Sequence, residues 1–336
     1  MKSHAHIAHA VSLAIAASAA AAIAAAAAAP ALAQDKYPTR PVRYVLPYPP
    51  GGSTDPMARF ICAKLSEVWG GETCIVDNRP GGNTVIGTQV LVNATPDGYN
   101  IGWSGSSMFS GPSLLPSLPY DVTKDLTGVA TIAKQRVVLV VHPSVAAKNL
   151  KELIALAKAK PGALNFASSG HGTNTHLSGE LFKLDTGVNI THIPYKGSGP
   201  ATQDLLAGRV QMSFQIPITV IPMIAQGKLR PMAITGEGRL DALKDVPTFD
   251  EAGLPGYGLT TVTGLVAPAK TPRKILEKLN DDIEKILSSP STKATFDKQG
   301  VEPYITTSPD DMSRVLKEQI ARYAKIIKSA GIKFQP

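Results

Sequence analysis

Short apolar runs alternate with helical stripes along most of the chain, which predicts a fold in which strands and helices take turns. Residues 42–46 fit a buried strand, and Met57, Phe60, Ile61, Leu65 and Val68 follow at helical spacing. The same succession continues with strands at 73–76 and 99–103 and a helix at 86–94. The most β-branched run, 137–141, has no polar alternation and reads as a strand buried on both faces. Beyond it, a helix over 150–160 is capped by Asn149 and ended by Pro161-Gly162. Strands are then expected at 164–167, 192–195, 210–214 and 229–235, the last with an edge signal at Pro231. Residues 259–267 form one more strand, and helices over 273–287 and 308–330 complete the pattern. This order predicts an α/β fold in two lobes, each a mostly parallel sheet flanked by helices, with a hinge between them. The expected division is 34–135 plus 247–336 for lobe I and 136–246 for lobe II.

Two loops stand out against this pattern. Pro49-Pro50-Gly51-Gly52-Ser53-Thr54 interrupts the first strand, and Asp55-Pro56 carries helix-opening chemistry. A strand that feeds small residues into a helix start presents free backbone N–H groups, and the helix dipole favours an anion there. Ser168-Ser169-Gly170-His171-Gly172-Thr173 repeats the device in the second half, with His176 one turn into the following helix. Two such cradles, one per lobe, suit a cleft. Ser106 and Ser107, in a hydroxyl-rich loop after the third strand, and Tyr195-Lys196 are further candidates for polar contacts. The phosphate-loop reading fails, because Gly51-Gly52 is followed by Ser-Thr-Asp rather than Lys-Ser or Lys-Thr.

Composition narrows the setting. Residues 11–29 are apolar and mostly alanine, and Ala31-Leu32-Ala33 supplies small residues, so residues 1–33 read as a secretory leader cleaved after Ala33. The rest is expected to be exported, as a monomer that is not itself membrane-embedded. The formal charge is +8, but the basic residues are scattered and aromatics are 6%, which argues against a nucleic-acid partner and for attraction of small anions. The two cysteines, Cys62 and Cys74, fall on neighbouring elements, and both a disulfide and two buried thiols fit that spacing.

Catalytic signatures are missing. Gly102-Trp-Ser-Gly-Ser106 lacks the last glycine of a nucleophile elbow. His171 and His176 are five apart, whereas a helical metal pair needs four, and no carboxylate is expected to join them. No enzyme activity, cofactor or metal is therefore expected.

The order of motifs resembles the Bug family, the periplasmic solute-binding components of tripartite tricarboxylate transporters. The resemblance rests on Tyr37-Pro-Thr-Arg-Pro-Val-Arg43, Pro49-Pro-Gly-Gly-Ser-Thr-Asp55, Asn78-Arg-Pro-Gly81 and Pro96-Asp-Gly-Tyr99. Leu118-Pro-Tyr-Asp121, Ser169-Gly-His-Gly-Thr173, Pro194-Tyr-Lys-Gly197, Asp245-Val-Pro-Thr248 and Glu251-Ala-Gly-Leu-Pro255 extend it over the whole exported chain. It implies a two-lobed binding protein that closes on a small carboxylic acid, a di- or tricarboxylate or an aromatic acid, and delivers it to membrane transporter subunits. A receptor that presents ligand to a membrane sensor is the alternative, and a secreted hydrolase a third reading. The ligand contacts carry over to residues 50–55 and 168–173, to Ser106 and Ser107, and to Tyr195 and Lys196. Residues 80–87 depart from the family's glycine-rich pattern, and Gln215 stands where relatives often carry Asp or Asn. An uncharged side chain there disfavours amine-bearing ligands. Trp103 and Phe109 fit either an apolar or aromatic ligand body or the core, and the core reading is preferred.

Overall fold

In the computed structural model, which describes residues 37–334, the apolar runs form two sheets. The strands are β1 (Val42–Leu46), β2 (Cys74–Asn78), β3 (Asn100–Ser104), β4 (Leu126–Gln135), β5 (Val138–Val141) and β6 (Asn165–Ser168). They continue with β7 (Thr191–Pro194), β8 (Met212–Gln215), β9 (Arg230–Ile234), β10 (Thr261–Pro268) and β11 (Glu302–Pro303). The helices are α1 (Thr54–Val68), α2 (Val85–Val92), α3 (Ser106–Leu114), α4 (Val122–Asp125), α5 (Leu150–Ala159) and α6 (Asn174–Thr186). After them come α7 (Ser198–Leu206), α8 (Pro217–Ala225), α9 (Arg273–Leu287), α10 (Pro290–Gln299) and α11 (Pro309–Ser329).

The first sheet runs β11-β4-β10-β3-β1-β2 and the second β7-β6-β8-β5-β9. Each holds a parallel trio, β2-β1-β3 and β7-β6-β8, built by helix crossovers. The expectation of mostly parallel sheets is corrected: β10 lies antiparallel to both β3 and β4, and β5 antiparallel to both β8 and β9. The cause is connectivity. A chain that leaves one sheet, builds another and returns enters each from the opposite direction. Pro231 lies on β9, which is an edge strand as its missing donor requires. Side chains of β5 alternate between two cores, Leu139 and Val141 meeting Phe166 and Phe214, while Val138 and Val140 meet Ala201 and Leu205. Burial on both faces explains the unbroken apolar run.

Three local expectations change. The hydroxyl-rich segment after β3 is the helix α3, not a loop. The ten-residue strand β4 carried no recognised sequence signal. The spacing of Leu177, Leu181 and Leu184 predicts one apolar face for α6, yet Leu184 is exposed. The expected leader, 1–33, lies outside the described residues. Among the described residues no helix is long and apolar enough to cross a membrane.

The chain passes from β4 to β5 through Arg136 and Val137, and the returning segment beyond β9 lies beside it. Thr235 N–H donates to Val137 O at 2.9 Å, and Val137 N–H donates to Thr235 Oγ1 at 2.9 Å. Between them the buried Arg136 guanidinium donates to the carbonyls of Thr235, Glu237 and Gly238.

Cys62 of α1 and Cys74 of β2 form a disulfide, with Cα atoms 5.0 Å apart, which decides between the two readings of that pair. Closing so short a loop in the unfolded chain is worth about 3 kcal/mol. The double variant Cys62→Ser, Cys74→Ser is expected to lose about that much, read as a lower urea midpoint than wild type under oxidising conditions. Equal midpoints would show that the bond does not contribute.

Candidate functional site

Five helices begin on one cavity. Ser53 and Thr54 open α1, Ser106 opens α3, Thr173 and Asn174 open α6, Gly197 and Ser198 open α7, and Ile216 precedes α8. All of them line a cavity of about 450 Å3, mouth included, together with Tyr48, Trp103, Gln135 and Ser169. Only α6 of the five has a side-chain cap, Thr173 accepting from His176 N–H. The other four show no side-chain cap bond, which leaves first-turn amides of α1, α3 and α7 open to a ligand, while in α8 Pro217 has no N–H and Thr219 N–H donates to Ile216 O. Their dipoles add partial positive charge at the same place. None of the lining side chains is charged. The arrangement therefore suits an anion held by neutral donors.

Two of those donors are unspent. Gln135 Nε2, at the end of β4, and Asn174 Nδ2, in the first turn of α6, are buried without a hydrogen-bond partner. Each such group costs about 1–3 kcal/mol until an acceptor arrives. At the rim, Ser53 N–H donates to Ser198 Oγ at 2.9 Å and ties the β1–α1 loop to the start of α7.

A larger outer cavity, about 1400 Å3 with its open mouth, shares Tyr48, Pro49, Ser169, Thr173 and Gly197 with the inner one. Ser107, Gly170, Tyr195 and Lys196 line it, and Lys196 supplies a cation. The segment 80–84 forms its other wall. Asn83 and Thr84 hold φ of 52° and 76°, a region that side-chain-bearing residues avoid, and Asn83 Nδ2 is buried without a partner.

Of the residues singled out in the sequence, Gly52, Ser53, Thr54, Ser106, Ser169 and Thr173 meet at the inner cavity, and Ser107, Gly170, Tyr195 and Lys196 at the outer. Six do not line either. Pro50 and Gly51 sit exposed on the rim. Asp55 is a brace: its carboxylate accepts from Gly51 N–H (3.2 Å), Arg59 (3.0 Å) and Asn78 (3.1 Å). Burial pushes that carboxyl up, but the bonds from Arg59, Asn78 and Gly51 outweigh it and hold the group below the usual range. Ser168 Oγ is 2.6 Å from His192 Nε2, behind the loop. Gln215 donates to Ser213 Oγ at 2.8 Å and so turns inward. His176 Nδ1 accepts from Gly172 N–H at 3.1 Å, on the far side of the loop.

Other lining residues were not anticipated. Asn174 and Ser198 sit one position beyond stretches that had been noticed, because α6 and α7 begin there. Gln135 had no signal, lying at the end of a strand that periodicity did not mark. Trp103 lines the inner cavity, whereas Phe109 is core, edge-on to Tyr323 at 5.7 Å.

Electrostatics keep the phenols of the walls and the imidazoles behind them neutral. Burial pushes the Tyr48 hydroxyl up, and its proton is donated to Ser107 Oγ at 3.2 Å. Burial and the hydrogen bond to Asp204 raise Tyr195 to about 12. His176 falls to about 2 and His192 to about 3, chiefly through burial and then through neighbouring cationic groups.

Residues 57–332 match the tripartite tricarboxylate transporter family receptor, TctC. The chain belongs to this family. It is 39% identical over 306 residues to Protein BugT of Bordetella pertussis, covering 90% of this chain and 93% of that one. Among solved structures, the R. palustris protein Rpa4515 with adipate is 36% identical, with TM-score 0.85, covering 88% and 99% of the two chains. MatC from Rhodopseudomonas palustris with bound malate is 29% identical, with TM-score 0.80, covering 87% and 100%. The family and the two-lobed fold thus agree with the resemblance read from the motifs.

Proposed function

We propose that this family member is a periplasmic receptor that captures a small linear dicarboxylate and hands it to the membrane subunits of a tripartite tricarboxylate-type transporter. The carrying observation is the inner cavity, where five helix starts converge and no side chain is charged. One carboxylate sits there, on the amides and hydroxyls of Ser53, Thr54, Ser106, Thr173 and Asn174. The hydrocarbon body passes the neck between Tyr48 and Gly197, and the second carboxylate meets Lys196 in the outer cavity. Two relatives with bound adipate and malate, both dicarboxylates, support this reading.

The donors come from both lobes, taken as 34–135 plus 247–336 and 136–246, with the hinge at Arg136. A ligand gripped by both binds the closed form more tightly and shifts the population toward it. The closed shape is what a membrane partner reads. The chain reaches the periplasm through a leader removed after Ala33. The hydrolase reading loses support because the Ser168–His192 pair lies off both cavities and Ser168 is fully buried. A sensor partner would use the same closed shape, and no observation favours it.

Thermal shift and calorimetry with adipate, malate, citrate, benzoate and hexanoate test the proposal. Dicarboxylates should raise the melting temperature most. Lys196→Ala should weaken adipate about three- to tenfold and leave hexanoate unchanged, since a partly exposed ion pair is worth about 1 kcal/mol. Equal losses for both acids would remove Lys196 from the site, and binding of none would end the carboxylate reading.

A further inference from the structure

Four histidines follow residue 33, and three of them meet. His171 lies on the β6–α6 loop, His176 in the first turn of α6 and His192 on β7, next to β6 in the sheet. One ligand atom from each falls within 4.8 Å of the others. We infer that His171, His176 and His192 form a binding site for a divalent transition-metal ion of the zinc class, with Glu180 as the fourth donor.

Four observations carry this. His171 Nδ1 is buried and has no hydrogen-bond partner. His192 Nε2 is 2.6 Å from Ser168 Oγ, a second-sphere contact that fixes the ring and leaves the other nitrogen for an ion. Glu180 Oε1 stands 3.9 Å from His176 Nε2, while its other oxygen is held by Lys183 at 2.9 Å. The group opens onto a cavity of about 960 Å3, so an ion has a path in. Three imidazoles are borderline donors that suit zinc, nickel or copper rather than calcium or magnesium, and one hard carboxylate beside them is compatible with zinc.

The site is assembled but not contracted. Zinc–nitrogen bonds of about 2.0–2.1 Å need the donors closer than they stand, so the stacked rings of His176 and His192, 4.0 Å apart, must turn toward the ion. His176 Nδ1 also accepts from Gly172 N–H. Ligation through Nε2 shifts the ring proton to Nδ1 and gives up that bond, which weakens binding by about tenfold. Micromolar affinity is the expectation rather than the far tighter binding of a structural zinc.

The test uses tag-free protein, stripped with a chelator, dialysed and titrated with Zn2+ by calorimetry. One ion per chain, with a dissociation constant below about 50 µM, is expected for wild type, for His142→Ala and for a variant with His4, His6 and His9 replaced by alanine. His171→Ala and His192→Ala should each lose at least tenfold, with far-ultraviolet circular dichroism confirming that they fold. Co2+ should give the visible bands of a low-coordinate nitrogen site in wild type and lose them in His171→Ala. Absence of saturable Zn2+ binding would overturn the inference, as would stoichiometric binding that survives in both cluster variants or vanishes with the N-terminal histidines. None of these readouts uses the carboxylate ligand, so the outcome is separate from that of the proposed transport role.

Discussion

Replacing Asn174 by alanine should lower carboxylate affinity about ten- to hundredfold while the melting temperature of the ligand-free protein holds or rises. Asn174 Nδ2 is buried at the inner cavity and bonds to nothing in the protein. A bond to a charged acceptor is worth about 1.5–3 kcal/mol, which sets the loss on the ligand side. On the stability side, the variant removes a donor that had been taken from water without compensation. The opposite signs make the prediction specific, because a residue that only supports the fold would lower both quantities. Calorimetry with adipate and a thermal melt of the same samples decide it. A fall in melting temperature of more than a few degrees with unchanged affinity would assign Asn174 to the framework.

Arg136→Met should cost about 2–4 kcal/mol of stability, the largest effect expected from a single side chain outside the cores. The residue is buried between the two chain segments that cross from one sheet to the other, and its guanidinium donates to three carbonyls on the returning one. Charge-assisted bonds of this kind are the stronger class, and the buried carbonyl of Thr235 would be left without its donor. Water can reach the outer two carbonyls, which keeps the figure below the sum of three bonds. Gly236 offers a second probe. It holds φ +90°, and a Cβ there would stand 2.8 Å from Arg136 Nε, so Gly236→Ala should disturb the same clamp. Urea unfolding of both variants measures the effect. A loss under about 1 kcal/mol for Arg136→Met would mean the crossing is held by the Val137–Thr235 pairing alone.

The sequence was most legible where one residue type has one physical use. Val42–Leu46, Arg273–Leu287 and the Asn149 cap of α5 emerged as read, because short apolar runs before a glycine-rich turn, helical stripes and cap residues have few other outcomes. Pro231 marked an edge for the same reason. The two candidate cradles were legible as glycine and hydroxyl loops at helix starts, and Gly52 and Ser169 do line one cavity. Direction was not legible. Whether a side chain at such a loop faces the cleft depends on partners far along the chain, as with Asp55 and Asn78, or Ser168 and His192. Gln135 stayed hidden because an amide at a strand end has no signature, and it matters only once a second sheet closes over it. The histidine cluster was hidden too. His192 comes sixteen positions after His176, and only the pairing of β6 with β7 brings it near.

The strand β10 lies in the middle of the first sheet, between β3 and β4, yet it is made after the whole of the second. A polypeptide released from its N-terminus therefore carries β1 to β4 with a gap at their centre until residue 268 arrives. The strands of the second sheet end at residue 234, and Leu240, Leu243, Val246, Phe249 and Tyr257, which complete its cores, all precede β10. Maturation runs inward from the later-starting half: the piece begun second can finish first, and the earlier one waits for β10 to fill its centre and for α11, whose Met312, Leu316 and Tyr323 complete its core.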